Sequence, residues 1–262
     1  MVNFLDPVPT WLIMLSAALL IFAMNEAGFQ MGRSRGPGKG AQEPSVIVQS
    51  AAFTVLALLL GFSFSLAVGR FDSRRAVLVR EANAIGATFL RAQLLDPNTT
   101  SAARAELRAY VAQRIAFAQA DADPQQRALA DAESSRILRA LWTLASGAAR
   151  GDPRSTEIPL FVASLNDTIA LSTEERAVLS AHIPDVVIVG LLLIAFIASA
   201  LMGYGFGLQG RRALLFKGFF ALMLAIAIGL VLDLDRPQRG LIRVNLAPLQ
   251  NVQAMMESNA AR

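Results

Sequence analysis

The chain has no cysteine among its 262 residues. Disulfides and thiolate metal sites are thereby excluded. It has one histidine, His182, so no histidine-pair metal site can form. A Ser-His-Asp triad would have to use that residue, which lies two positions before Pro184 at the edge of an apolar run. No P-loop or dinucleotide fingerprint is present. Gly203-Tyr204-Gly205-Phe206-Gly207 is glycine-rich, but it closes an apolar run and makes a very weak phosphate loop. The enzyme constellations are missing, and no cofactor or metal is implied. Charge is scarce too, at 17% against about 25% in ordinary soluble domains. The net charge of +4 is carried by arginines spread along helical patterns. A nucleic-acid surface needs a basic patch with interleaved aromatics, so nucleic acid is rejected as a partner. Period-2 strand patterning and internal repeats are also lacking.

What the chain does have is four apolar stretches, at roughly 10–31, 46–69, 184–206 and 213–232. Val186 to Gly203 contains no charge at all. A bilayer core of about 30 Å needs about 20 apolar residues in helical form, because unpaired backbone groups cannot persist there. The chain is therefore an integral membrane protein with both termini on one side and membrane lipid as its solvent. The first stretch is expected to be a retained helix and not a signal peptide. Met1 to Thr10 has Asp6 and no Lys or Arg, the wrong sign for a leader, and Trp11 is an interfacial anchor. The expected class is an all-α membrane protein, with four transmembrane helices in a 2+2 layout and a helical soluble domain between the second and third. The expected divisions are 1–69 for the first two membrane helices, 70–183 for the soluble domain, 184–232 for the last two, and 233–262 for a C-terminal polar segment.

The helical pattern of the second stretch does not stop at Arg70. Phe71, Val77, Leu78, Ala82, Ile85, Phe89 and Leu90 recur at helical spacing, and no proline lies between Pro44 and Pro97. One helix is expected over 46–95, broken by Asp96-Pro97-Asn98-Thr99. Ser101 is expected to open the next helix, through Leu107, Tyr110 and Phe117. Another carries Leu129, Ile137, Leu141 and Trp142, and a last one runs from Leu160 to Leu179 before Pro184.

Small residues recur every four positions in three membrane segments: Gly61, Ser65 and Gly69; Ala195, Ser199 and Gly203; Ala221, Ala225 and Gly229. Gly28 and Gly32 form a similar pair. Such faces let helix backbones approach in lipid. They fit packing within one chain, or a subunit interface or constriction. Phe62, with Ser65 or Leu66, fits either simple packing or a pore neck that gates by dewetting. Arg70, Arg74 and Arg75 follow segment two, and Asp233, Asp235, Arg236 and Arg239 follow segment four. They fit a salt-bridged collar or a ring that concentrates anions at a pore mouth. Glu26, with Gln30 one turn on, is an intramembrane polar pair and so a functional candidate.

The short loops at 32–45 and 207–213 carry Arg33, Arg35, Lys39, Arg211 and Arg212. Short loops and the first helix weigh most in setting orientation. This count places the short loops in the cytoplasm and the soluble domain outside.

Several runs resemble the bestrophin-like domain family of bacterial membrane proteins. They are Glu26-Ala27-Gly28, Gly61 to Ser65, Arg70 to Arg75, Glu81 to Gly86, Asp152 to Ser155, Leu165-Asn166-Asp167 and Asp233 to Pro237. The resemblance covers nearly the whole chain. It implies a multi-pass protein of the bacterial inner membrane, a homo-oligomer, pentameric by this resemblance alone, and a pore for small ions lined by segment two. It also implies a cytoplasmic soluble part, against the charge count. No acidic calcium-clasp run is found. The function expected is an anion-passing channel. The alternative is a non-conducting membrane sensor or scaffold whose soluble domain binds a partner.

Overall fold

The computed structural model describes residues 10–35, 42–120, 123–236 and 242–259. The described elements are helical: α1 (Thr10–Arg35), α2 (Gln42–Arg91), α3 (Pro97–Gln119), α4 (Pro124–Gly151), α5 (Ile158–Ser180), α6 (Asp185–Leu208), α7 (Leu214–Asp235) and α8 (Ala247–Ser258). A 3-10 turn, Ala92–Leu94, follows α2. Among the described residues four helices are long and apolar enough to cross a membrane, within Trp11–Arg35, Val46–Leu94, Ile158–Leu208 and Leu214–Asp235. The all-helical class with four membrane spans is thus observed as expected.

The single helix expected over 46–95 is α2, which begins at Gln42, runs without reversal between Gly69 and Glu81, and closes in the 3-10 turn. Its 50 residues reach about 75 Å at 1.5 Å per residue. That is more than twice a bilayer core. The next helix corrects the expectation, opening at Pro97 and not at Ser101. The Asp96 carboxylate accepts from the amides of Asn98 and Thr99, each at 3.1 Å, and Pro97 occupies the first turn, where a missing N–H costs nothing. The hydrogen bonds from Thr99 hold the Asp96 carboxyl below its usual range. α4 repeats the device: Asp123 accepts from Gln125 and Gln126 at 2.9 and 3.2 Å, ahead of Pro124.

The chain divides into two compact units, Met1–Arg70 with His182–Ile242 and Phe71–Ala181 with Arg243–Arg262. In the first, α1 packs against α6 and α7. α1 continues without a break through Asn25 and Glu26 to Arg35. A Cβ on Gly28 or Gly32 would come within 3.0 Å of the backbone carbonyls of Ala200 and Tyr204. One on Gly203 or Gly207 would do the same to Asn25 and Phe29. The two helices therefore touch backbone to backbone through paired Gly-xxx-Gly faces. α7 presents buried Ala221 and Ala225, and its Gly229 lies under Met14 of α1. The small faces of α6 and α7 are thus packed within the chain. That of α2 is left open by the described residues: a Cβ added at Gly61 would meet none of their atoms within 4 Å.

The second unit is a helical bundle. Its core draws on α2 (Ala82, Ile85, Phe89), α3 (Leu107, Val111), α4 (Ile137, Leu141) and α5 (Phe161, Leu165). Burying each of these side chains other than Ala82 contributes about 1.5–3 kcal/mol. Within the stretch read as a polar C-terminal segment, α8 buries Leu249 and Met256 in the same core.

Candidate functional site

The membrane part of α2 has one covered side and one bare side. Leu56, Ser63 and Ala67 are buried. Phe53 meets Phe220 of α7 edge-on, with centroids 5.5 Å apart. On the other side Ala51, Val55, Leu58, Phe62, Ser65 and Gly69 are all exposed. They recur at four- and three-residue steps, the spacing of a helix-packing seam. Phe62 is 61% exposed and Leu66 beside the seam 49%. Both are large apolar groups left without cover by the described residues.

The charged residues after Gly69 and Val231 stand in different environments. Arg70 is half-buried, Arg75 exposed and Arg74 buried. Arg74 donates to the Ala181 carbonyl at 2.9 Å. Asp233 is buried and accepts from the Ile242 amide at 2.9 Å. Asp235 is fully buried, accepts from the Ile183 amide at 3.0 Å and lies 3.7 Å from Nδ1 of His182. Arg236 is half-buried, and Arg239 lies outside the described residues. The aspartates therefore brace the connection into α6 and the exit from α7. His182, which the sequence places only at the edge of an apolar run, is a neighbour of Asp235.

Glu26 is a paired group. One carboxylate oxygen accepts from Lys217 Nζ at 3.1 Å, and the other lies 3.4 Å from Arg212. Lys217 is fully buried, with its ammonium 3.9 Å from the centre of the Phe29 ring, a favourable cation–π approach. Gln30 is exposed and stands outside this group. Asn25 is fully buried, and neither polar atom of its amide finds a partner among the described residues.

The model of the bestrophin-like domain matches residues 13–249. The chain belongs to the bestrophin-like domain family. It is a membrane protein, and its fold recurs in solved structures of a bacterial bestrophin homologue from Klebsiella pneumoniae. Against one substituted form the TM-score is 0.68 at 15% identity, covering 96% of this chain and 98% of that one. Against a second substituted form it is 0.67 at 14%, covering 95% and 99%. Another structure of this homologue gives 0.65 at 15%, covering 96% and 98%. At such identities the shared property is the fold. No curated protein matches.

This bestrophin-like chain also holds a buried ionic cluster that sequence reasoning missed. In the second unit, Glu81 of α2 accepts from Tyr110 Oη at 2.8 Å and from Arg114 Nε at 2.9 Å, both on α3. The same guanidinium pairs with Glu175 of α5. All four side chains are buried. Burial, helped by the Glu81 charge, pushes the Tyr110 phenol well above its ordinary range, so it remains a donor. Two turns away along α2 and α5, the Thr88 and Thr168 hydroxyls meet at 3.0 Å. The available signal was Glu81 itself, a carboxylate on the same stripe as Val77, Leu78, Ala82 and Ile85.

Proposed function

We propose that this bestrophin-like protein is a homo-oligomeric channel for small anions, with α2 nearest the axis. The observation that carries this is the bare side of α2. Of the four spans it is the least covered: 17% of its most apolar window is buried, against 28, 33 and 39% for the others. A regular apolar seam at helix-packing spacing fits contact with other copies around an axis. Five-fold symmetry is favoured by the resemblance to bestrophins alone. In this reading Phe62, with Leu66 or Ser65, sets the narrowest point, because a ring of bulky apolar groups excludes water until it widens. Arg70 and Arg75 supply positive charge at one mouth and raise the local anion concentration. The buried Arg74 acts as a brace. The ends that carry Arg33, Arg35, Arg211 and Arg212 are assigned to the cytoplasm, in the inner membrane, on the short-loop charge count.

The test is chloride flux from liposomes that hold the purified protein. Phe62→Ala is expected to raise flux several-fold over wild type with no loss of thermal stability, since the described residues leave Phe62 61% exposed. Flux equal to protein-free liposomes for both proteins, across voltage and pH, overturns the channel reading and leaves the sensor or scaffold in its place.

A further inference from the structure

The connection from α6 to α7 turns on Gly210, whose φ of 65° lies in the left-handed region that a side chain would strain. The amides of Gly210 and Arg211 return to the carbonyls of Gly207 and Phe206 at 3.0 and 3.2 Å, which satisfies the last carbonyls of α6. The turn delivers Arg211 and Arg212, both exposed, directly ahead of Leu214. Arg33 and Arg35 are exposed at the end of α1, and Arg35 donates to the Tyr204 hydroxyl at 3.2 Å.

Among the described residues the carboxylate paired with Arg212 is Glu26, and Lys217 already neutralises it. The fully buried Lys217 holds it at 3.1 Å, where low dielectric makes the attraction strong. Arg212 is 62% exposed and approaches the same group only to 3.4 Å, where water screens the pair. One carboxylate thus faces two cations, and the surplus positive charge falls on the arginine that faces out. Directly after it, α7 exposes Leu215, Phe219, Leu222 and Ile226. These recur at steps of four, three and four and form one apolar stripe down the span. Two guanidiniums heading an apolar stripe match a phosphate heading an acyl chain.

We propose that Arg211 and Arg212 form a binding site for the phosphate of an anionic phospholipid, whose acyl chain lies along Leu215, Phe219, Leu222 and Ile226. Lys217 is a positioning residue for this site: by holding Glu26 it leaves Arg212 available. A net-negative head is preferred because the added cation of a zwitterionic head is repelled by the two guanidiniums that hold its phosphate. The inference rests on membrane insertion and the turn geometry, and it is independent of conduction.

The test uses the full chain in mild detergent. Retention of phosphatidylglycerol and of phosphatidylcholine is titrated by native mass spectrometry. Two surface arginines predict a preference of about 30-fold for phosphatidylglycerol. R211Q/R212Q, altered only at exposed positions, is expected to fold and to lose most of that preference. Lys217→Met is expected to weaken it, because the Glu26 charge then falls on Arg212. The paired change Glu26→Gln with Lys217→Met is expected to restore it, an outcome that a merely structural role for Lys217 does not produce. If Lys217→Met does not fold, the paired variant and R211Q/R212Q still decide. Equal retention of both lipids by wild type, or an unchanged preference in R211Q/R212Q, overturns the proposal. So does displacement of phosphatidylglycerol by millimolar inorganic phosphate, which would mark a site for the free ion.

Discussion

Gly203→Val is expected to destroy the first unit. The added side chain would start within 3.0 Å of the Asn25 carbonyl carbon and oxygen and reach the Phe29 amide. These are backbone atoms of α1, which cannot rotate away as a side-chain tip can. α1 and α6 must then separate along their whole contact, because the paired glycines on both helices share one crossing. The expected loss exceeds about 4 kcal/mol, the range reserved for a broken core or backbone clash. In practice most of the protein should fail to fold in the membrane. Gly190→Ala serves as the control. It sits on the same helix, where an added Cβ would meet none of the described atoms within 4 Å, so its effect should stay within about 1 kcal/mol. Thermal melting followed by circular dichroism in detergent compares the two. A Gly203→Val protein that melts like wild type would show that α1 and α6 are not in backbone contact.

Arg114→Met should be the most damaging single change in the second unit. It removes the one cation that Glu81 and Glu175 share and leaves two buried carboxylates with no guanidinium between them. Breaking a buried pair in this way costs about 3–5 kcal/mol, much of it the penalty of the stranded charge. Arg114→Lys should rescue little, because an ammonium cannot reproduce the Nε and Nη2 bonds made on two sides at once. Adding Glu81→Gln and Glu175→Gln to Arg114→Met should recover much of the loss, since a neutral set of similar size has no charge to desolvate. Urea unfolding of the four proteins measures this. A change below about 1 kcal/mol for Arg114→Met would mean that the cluster is open to water.

Local chemistry explains what the sequence made legible. The continuity of α2 followed from the proline-free interval and from apolar spacing that persists past Arg70. The break at Asp96-Pro97 was visible, but it was read only as a stop. The same Asp-Pro pair both ends one helix and caps the next, so α3 starts earlier than Ser101. Glycine spacing identified the close-approach faces but not their partners. A Gly-xxx-Gly face is complementary to any other small face, and only the fold chose α6 for α1. Glu26 and Lys217 were each the single charge in an otherwise apolar stretch, and two such charges must meet somewhere. Their separation of 191 residues left nothing local to pair them. The Glu81, Arg114 and Glu175 cluster needs three helices in register, which periodicity does not encode. α8 carried its pattern in Leu249, Val252 and Met256, yet its 12 residues held too few repeats to stand out beside longer helices.

The central claim is that α2 faces other copies of the chain around an axis. The cysteine-free sequence allows a direct measurement, because every introduced cysteine reports a single position. Ser65→Cys and Phe62→Cys, in the native membrane and treated with oxidant or a short bismaleimide, should cross-link between chains and run as covalent oligomers on denaturing gels. Leu222→Cys, exposed on α7, should stay monomeric under the same treatment. Cross-linking through Leu222→Cys with none from Ser65→Cys or Phe62→Cys would contradict the account, and α2 would then face lipid.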